Sequence, residues 1–247
     1  MLMDSRDSTE QNSHTKANCP ICEDRGIILI GEGRDTAAKQ CTCMDQKRLE
    51  RIFKTSQITP ALKAKTFSGF QSSLNGSIRS MYDCAKAYAQ AFPDLGDTNW
   101  LVLLGEPGSG KTHLAMAVAN ELVAAGTPAL YFQHVEGTNE IRETILAKDS
   151  SRGEERTSDK VRQVKDAPVL VWDDLFKPPK APTDWILELT FEILNYRYLN
   201  LLPTIITSEH TPEALLGIDR AIGSRILERA RGRLMVVEGA EFNFRLR

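Results

Sequence analysis

From about residue 67 onward, short apolar runs alternate with longer segments whose apolar positions recur at helical spacing. The runs at 100–104 (WLVLL), 129–133 (ALYFQ), 168–172 (PVLVW), 203–207 (PTIIT) and 233–237 (RLMVV) read as strands. The segments between them read as helices, as does "SIRSMYDCAKAYAQAF" ahead of the first strand, in which Cys84 is a small core residue. Apolar strands joined by helical crossovers specify a parallel sheet covered on both faces, because parallel neighbours need a right-handed return across one face. The predicted fold class is therefore α/β. Ahead of this region the pattern differs. Residues 1–17 have no periodic apolar positions and read as a disordered tail. "GIILIGEG" reads as part of a small hairpin or ribbon within residues 18–43, and "MDQKRLERIFK" sets Leu49, Ile52 and Phe53 at helical spacing with a basic face opposite. No internal repeat is visible.

The sharpest break follows the first strand. "GEPGSGKT" fits G-x-x-x-x-G-K-[ST], with Gly105, Gly110, Lys111 and Thr112 at the required positions, between a strand and the helix "KTHLAMAVANEL". Glycines let consecutive backbone N–H groups of Gly105, Glu106, Pro107 (which lacks one), Gly108, Ser109 and Gly110 turn around a phosphate, and the helix N-terminus adds a positive dipole. Lys111 is expected to reach the β- and γ-phosphates of ATP and Thr112 to ligate Mg2+, with His113 beside them. A phosphate loop also needs an acid at the end of a neighbouring buried strand. "VLVWDDLF" supplies Asp173 for the metal ion and Asp174 to polarise the attacking water. This makes the domain an additional-strand P-loop ATPase, in which a third strand between those two carries a group that senses the γ-phosphate. "PTIITSEH" ends in Thr207, Ser208 and Glu209, of which Ser208 is read either as that group or as a helix N-cap, while Thr211 reads as an N-cap before "PEALL".

Together "GEPGSGKTHLAMAVANEL", "VLVWDDLF", "PTIITSEHTPEAL" and "AIGSRILERA" resemble the AAA+ ATPases of the DnaC/DnaI helicase-loader and IstB transposition-helper group, over about residues 60–247. The resemblance implies a P-loop AAA+ (ASCE) domain with a parallel five-stranded sheet, helices on both faces and no C-terminal lid, since only ten residues follow the last predicted strand. It places Lys111 and Thr112 on phosphate and Mg2+, Asp173 on the metal and Asp174 on the water. Arg225 in "GSRIL" matches the arginine finger that acts on ATP held by a neighbouring subunit, with Arg220 and Arg229 as fallbacks and a solvated helix face as the plainer reading. "TFSGF", with Phe67 and Phe70, matches the entry to the domain near the adenine pocket. Two positions bear on the resemblance: Glu209 stands where the family usually has Asn, and Arg245 matches a terminal arginine to which chemistry assigns no role.

"CPIC" followed by "CTC" gives Cys19, Cys22, Cys41 and Cys43 in a C-x2-C-x18-C-x-C arrangement, a ligand set for a tetrahedral structural Zn2+. So short a module has too little core to fold unaided, and zinc binding supplies the missing free energy. Four reduced, unliganded thiols or an iron-sulfur cluster are the alternatives. A zinc-binding N-terminal module over residues 18–59 resembles that of DnaI-type loaders, which contacts the replicative helicase.

Composition adds limits rather than function. The chain has 247 residues, 41% hydrophobic and 26% charged, with a formal net charge of −2, so no global basic field marks a nucleic-acid binder. Local patches remain: Lys47, Arg48, Arg51, Lys54, Lys63 and Lys65 against Glu50, a mixed-sign segment at 142–165, and the loop "FKPPKAPT" with Lys177 and Lys180. Each reads as a nucleic-acid or partner contact or as solvated surface. No apolar run approaches ~18 residues and the N-terminus lacks a signal-peptide core, so a soluble cytoplasmic protein without a membrane partner is expected. The expected function is loading of a replicative DnaB-type helicase onto single-stranded DNA by a chain that self-associates into a hexamer or spiral and hydrolyses ATP at subunit interfaces. The alternatives are an IstB-like helper on duplex DNA and a nucleotide-gated adaptor with little turnover.

Overall fold

The computed structural model describes residues 19–31, 37–44, 47, 56–71, 76–146, 159–177 and 181–244. The expectations for residues 1–17, for the apolar face at Leu49, Ile52 and Phe53, and for Lys180 and Arg245 lie outside them. The chain divides into two compact units, Met1–Arg48 and Leu49–Arg247.

In the first unit β1 (Ile27–Ile30) pairs antiparallel with β2 (Ala37–Gln40), Ile27 opposite Gln40 and Ile30 opposite Ala37. The hairpin buries almost nothing of its own: Ile27, Leu29 and Ile30 are exposed. What is buried is Cys19, Cys22 and Cys41, with Ile28 and Cys43 packed against them. The thiols are the core of this unit.

In the second unit a short helix α1 (Pro60–Lys63), capped by the Thr59 hydroxyl, precedes α2 (Gly76–Ala91). The sheet strands are β3 (Trp100–Gly105), β4 (Ala129–Gln133), β5 (Val169–Asp173), β6 (Thr204–Ser208) and β7 (Leu234–Val237). They pair in parallel in the order β4-β5-β6-β3-β7. Each expected strand is present, that at 129–133 with the same bounds and the others with ends moved by at most one residue. Alternate residues of β3 face opposite sides: Leu101 and Leu103 join one core, Trp100, Val102 and Leu104 the other. The first core is covered by α2 and by α3 (Lys111–Ala124), through residues such as Ile78, Met81, Leu114 and Val118. The second is covered by α4 (His134–Leu146), α5 (Asp184–Leu199), α6 (Pro212–Ile218) and α7 (Arg220–Arg229), through Ile141, Leu189, Ile193, Leu215 and Ile226. Burial on both faces explains why β3, β5 and β6 are apolar throughout their central positions rather than alternating.

Chain entry and helix starts are defined locally. The Ser56 carbonyl accepts from the Tyr131 amide of edge strand β4 at 2.9 Å. Thr183, Thr211 and Asp219 cap α5, α6 and α7 through their side chains, so the N-cap expected at Thr211 is present. After β7 the described residues form only a 3-10 turn, Ala240–Phe242. Among the described residues no helix is long and apolar enough to cross a membrane.

Parallel strands end together. Gly105, Asp173 and Ser208 therefore lie along one edge of the sheet, and β6 separates the phosphate-loop strand β3 from the acid-bearing strand β5.

Candidate functional site

Close approach dictates the glycines of the loop between β3 and α3. Gly105 has φ 107°, and a Cβ there would lie 1.9 Å from the Val237 carbonyl oxygen of β7. Gly110 has φ 92°, and its Cβ would meet the Phe70 ring at 2.5 Å. Both positions exclude a side chain. Gly110 is also the N-cap of α3 and offers no side-chain acceptor, so the first-turn amides face the loop uncapped. Ser109 lies under the loop with its hydroxyl buried and unpartnered among the described residues. Lys111 is 5% exposed and donates to the carbonyls of Gly105 and Glu106, both at 2.8 Å. Burial holds its ammonium below the usual value, against the pull of Glu209, Asp174 and Asp173. A cavity of about 250 Å³ opens over this cradle, with Pro107, Gly108, Thr112 and His113 on one side and Asp174 and Glu209 on the other. Uncapped amides, a buried ammonium and an orphaned hydroxyl are a donor set that fits a polyphosphate.

Asp173 is 3% exposed and its carboxylate is held by hydroxyls from three elements. Oδ1 accepts from Thr112 at 2.9 Å and from Thr207 at 2.6 Å, and Oδ2 from Tyr131 at 2.8 Å. Burial raises the Asp173 pKa while these donors pull it back, and burial followed by Asp173 raises that of the Tyr131 phenol. A buried carboxylate touching the Thr112 hydroxyl is a hard-oxygen pair of the kind that binds Mg2+. Asp174 adopts φ 55°, its N–H donates to Thr207 Oγ1 at 2.9 Å, and its Oδ2 accepts from Lys177 at 2.6 Å. Lys177 donates also to Glu209, at 3.1 Å.

The remaining expected residues are placed differently. Ser208 is fully buried and its hydroxyl donates to the Leu175 carbonyl at 2.7 Å; the side chain that reaches the cavity from the end of β6 is Glu209. His113 meets the Thr66 carbonyl through Nε2 at 2.8 Å and packs edge-on against Phe70 at 5.2 Å, which ties α3 to the "TFSGF" segment. Arg225 lies on α7, donating to Asn195 at 3.0 Å and to the Ala221 carbonyl at 2.9 Å, with its guanidinium 5.0 Å from the centre of the Phe191 ring. It does not line the cavity formed by Lys111 of its own chain. Arg229 donates to the carbonyls of Asp97 and Tyr198. Two residues of the site, Tyr131 and Lys177, carry no motif signal in the sequence. Tyr131 sits in an ordinary strand, and only the pairing of β4 with β5 brings its hydroxyl to Asp173. Of the mixed-charge segment, Lys160 pairs with Glu140 and Lys165 with Glu192.

In the first unit the four sulfurs lie within 4.8 Å of one another. Cys19 and Cys41 are 3.8 Å apart, Cys22 and Cys43 3.4 Å. Thiolates at about 2.3 Å from a common zinc stand about 3.8 Å apart at the corners of a tetrahedron, so the cluster has the size of a closed four-thiolate site. Backbone N–H groups hold the Cys19 thiol down to about 7, whereas burial and the neighbouring thiols push Cys43 up to about 12. Four adjacent thiols cannot all ionise without a cation among them. The Gly26 amide donates to Cys22 Sγ at 3.3 Å, the kind of outer bond that orients a metal ligand.

Comparison with known proteins agrees with this geometry. The chain matches the family described as "IstB-like ATP binding protein" over residues 38–247. It is similar to the phage-like element PBSX protein XkdC of Bacillus subtilis (strain 168), 35% identical over 250 residues, covering 97% of this chain and 90% of that protein. It is similar also to the replicative helicase loader DnaI of the same organism, 26% identical over 194 residues, covering 76% of this chain and 59% of that protein. Among solved structures, that of the DnaC helicase loader superposes with a TM-score of 0.58 at 21% identity, covering 73% of this chain and 99% of its own, and shows the same P-loop AAA+ fold. The matched span, the phosphate cradle and the paired acids together assign the chain to the IstB-like ATP-binding protein family.

Proposed function

We propose that this protein is an ATP-dependent DNA-replication factor that loads a replicative hexameric helicase onto single-stranded DNA. One observation carries the ATPase part: Lys111, Thr112 and Asp174 line one cavity at the uncapped start of α3, and Asp173 accepts from the Thr112 hydroxyl beside it. Similarity to DnaI supports the loader part.

In this reading the loop amides, with Lys111, bind the phosphates and fix the γ-phosphoryl group in line with a water. Thr112 and Asp173 hold Mg2+, which screens phosphate charge when bound. Tyr131 and Thr207 keep the Asp173 carboxylate pointed at Thr112. Asp174 accepts a proton from the attacking water. The water oxygen bonds to the γ-phosphorus, the bond to the β-phosphate oxygen breaks with its electron pair on ADP, and the proton passes on to the released phosphate. Ser208 acts at one remove, fastening the turn that carries Asp174 through Leu175. Arg225 serves a neighbouring subunit, which makes turnover depend on self-association. The cysteine unit binds Zn2+, contacts the helicase and is separate from an ATPase domain beginning near residue 60. The protein acts in the cytoplasm. One observation favours a second reading, a nucleotide-gated adaptor with little turnover: Asp174 is already engaged by Lys177.

The test is a Lys111→Ala variant assayed for ATP binding, co-purification with the host's replicative helicase, and ATP-dependent transfer of that helicase to circular single-stranded DNA. Nucleotide affinity should drop by at least about a hundredfold, the cost expected when a buried charge-assisted contact is lost, and loading should cease. Unchanged nucleotide affinity rejects the ATP site, and wild-type protein that binds ATP without capturing helicase rejects the loader assignment.

A further inference from the structure

The turn after β5 carries a cation that the phosphate-binding motif does not call for. Asp174 and Phe176 adopt left-handed φ of 55° and 54°. Side chains other than glycine keep that conformation only where the surroundings over-determine it, and such positions gather at functional sites. Here the surroundings are the end of β6 and the residues after it. The amides of Asp174 and Leu175 donate to the hydroxyl and carbonyl of Thr207, both at 2.9 Å. Ser208 Oγ donates to the Leu175 carbonyl at 2.7 Å, and His210 Nε2 meets the Phe176 carbonyl at 2.6 Å. The turn is fastened at every residue from 174 to 176.

Its consequence is the position of Lys177. The ammonium lies 2.6 Å from Asp174 Oδ2 and 3.1 Å from Glu209 Oε1, bridging carboxylates from the ends of two adjacent strands. The side chains are partly sheltered, at 35%, 20% and 14% exposure for Lys177, Asp174 and Glu209. Burial pulls the Lys177 pKa down, and the two carboxylates outweigh it, so the group stays charged. Lys111 and Lys65 also face this cavity, and neither hydrogen-bonds Asp174 or Glu209 there. A carboxylate polarises water by accepting its proton, and an ammonium at 2.6 Å from Oδ2 occupies one of the two acceptor oxygens.

We propose that Lys177 is a positioning residue that restrains turnover: its ammonium competes with the attacking water for Asp174, and hydrolysis proceeds when the bridge to Asp174 and Glu209 opens. Nucleotide binding does not depend on the bridge. This inference rests on the ATPase reading and specifies its regulation.

Steady-state ATP hydrolysis and nucleotide affinity, measured for full-length wild type, Lys177→Met, Lys177→Arg and Glu209→Gln at rising salt, test it. Lys177→Met should raise kcat about two- to fivefold, the factor an ion pair of this exposure can supply, with KM and affinity essentially unchanged. Glu209→Gln, which removes one of two anchors, should raise it less, and Lys177→Arg should restore the restrained rate. Wild-type kcat should climb as salt screens the pair, and that of Lys177→Met should not. A kcat for Lys177→Met equal to or below wild type overturns the restraint; a lower value assigns the lysine a direct role in the reaction. Should no variant hydrolyse ATP while Lys111→Ala still removes nucleotide binding, the restraint is rejected and the nucleotide site stands. If Lys111→Ala leaves binding intact, the ATP site itself is rejected, and the restraint with it.

Discussion

His134 shows what burial does to a single titratable group. At the start of α4 and 4% exposed, its ring lies against Trp172 and meets Phe176 edge-on at 5.3 Å. Trp172 Nε1 donates to its Nδ1 at 3.1 Å, which requires the neutral ring. Burial lowers its pKa from 6.5 to about 4, with Asp174 opposing slightly. The folded value is depressed, so between those limits the unfolded chain binds the extra proton. The stabilisation is fully present above pH 6.5 and lost as pH falls toward 4. Roughly 3 kcal/mol is at stake over the whole window. Urea unfolding at pH 7 and pH 5 should show the loss, and His134→Gln should flatten the difference; an equal slope in both proteins removes His134 as its source. At this scale Lys111, Thr112 and Asp173 were legible because phosphate and metal chemistry demands those residue types at those spacings. Tyr131 and Lys177 were not, because a hydroxyl on one strand and an ammonium on a turn acquire partners only through neighbouring strands.

Among the elements, α5 contributes the residue that fastens two strands at once. Arg197, fully buried, donates to the carbonyls of Val164, Lys165, Ala167 and Pro203 and to the Thr204 hydroxyl. These groups lie where the chain enters β5 and β6, and of the carbonyls Pro203 also accepts from the Leu170 amide of β5, at 3.2 Å. Burial lowers the guanidinium pKa to about 9, so it remains charged at neutral pH. Lysine has the charge without the planar fork, so Arg197→Lys should orphan several carbonyls and cost on the order of 3 kcal/mol, read as a lowered melting temperature. A variant that melts with the wild type would show these carbonyls to be solvated instead. The strands were legible from apolar runs bounded by breaks, since a strand buried on both faces admits little else. Their exact ends were not, because they depend on the neighbour: Gly105 extends β3 by pairing with Val237, and Asp173 extends β5 by pairing with Gln133. Ser208 illustrates the same dependence. Read from the chain alone it is a sensor or a cap, yet its hydroxyl is taken by the turn after β5.

At the scale of the whole molecule the two units hold together by different physics. The larger has two apolar cores on a sheet, and the smaller has cysteines. Removing metal with a zinc-selective chelator should therefore make residues 19–44 protease-sensitive while the sheet domain keeps its melting transition and its nucleotide affinity. Metal analysis that finds no zinc, or an N-terminal unit indifferent to chelation, would refute the closed four-thiolate site. By itself the sequence determined which residues build the glycine-lined loop between β3 and α3, which acids follow a buried strand, and which thiols are spaced for one metal, because local backbone geometry and ligand number leave few alternatives. Only the tertiary structure decided that β6 lies between β3 and β5, that hydroxyls from β4, β6 and α3 converge on Asp173, and that Lys177 spans Asp174 and Glu209. Those are contacts between residues far apart in the chain, and strand order, which no local pattern encodes, sets them.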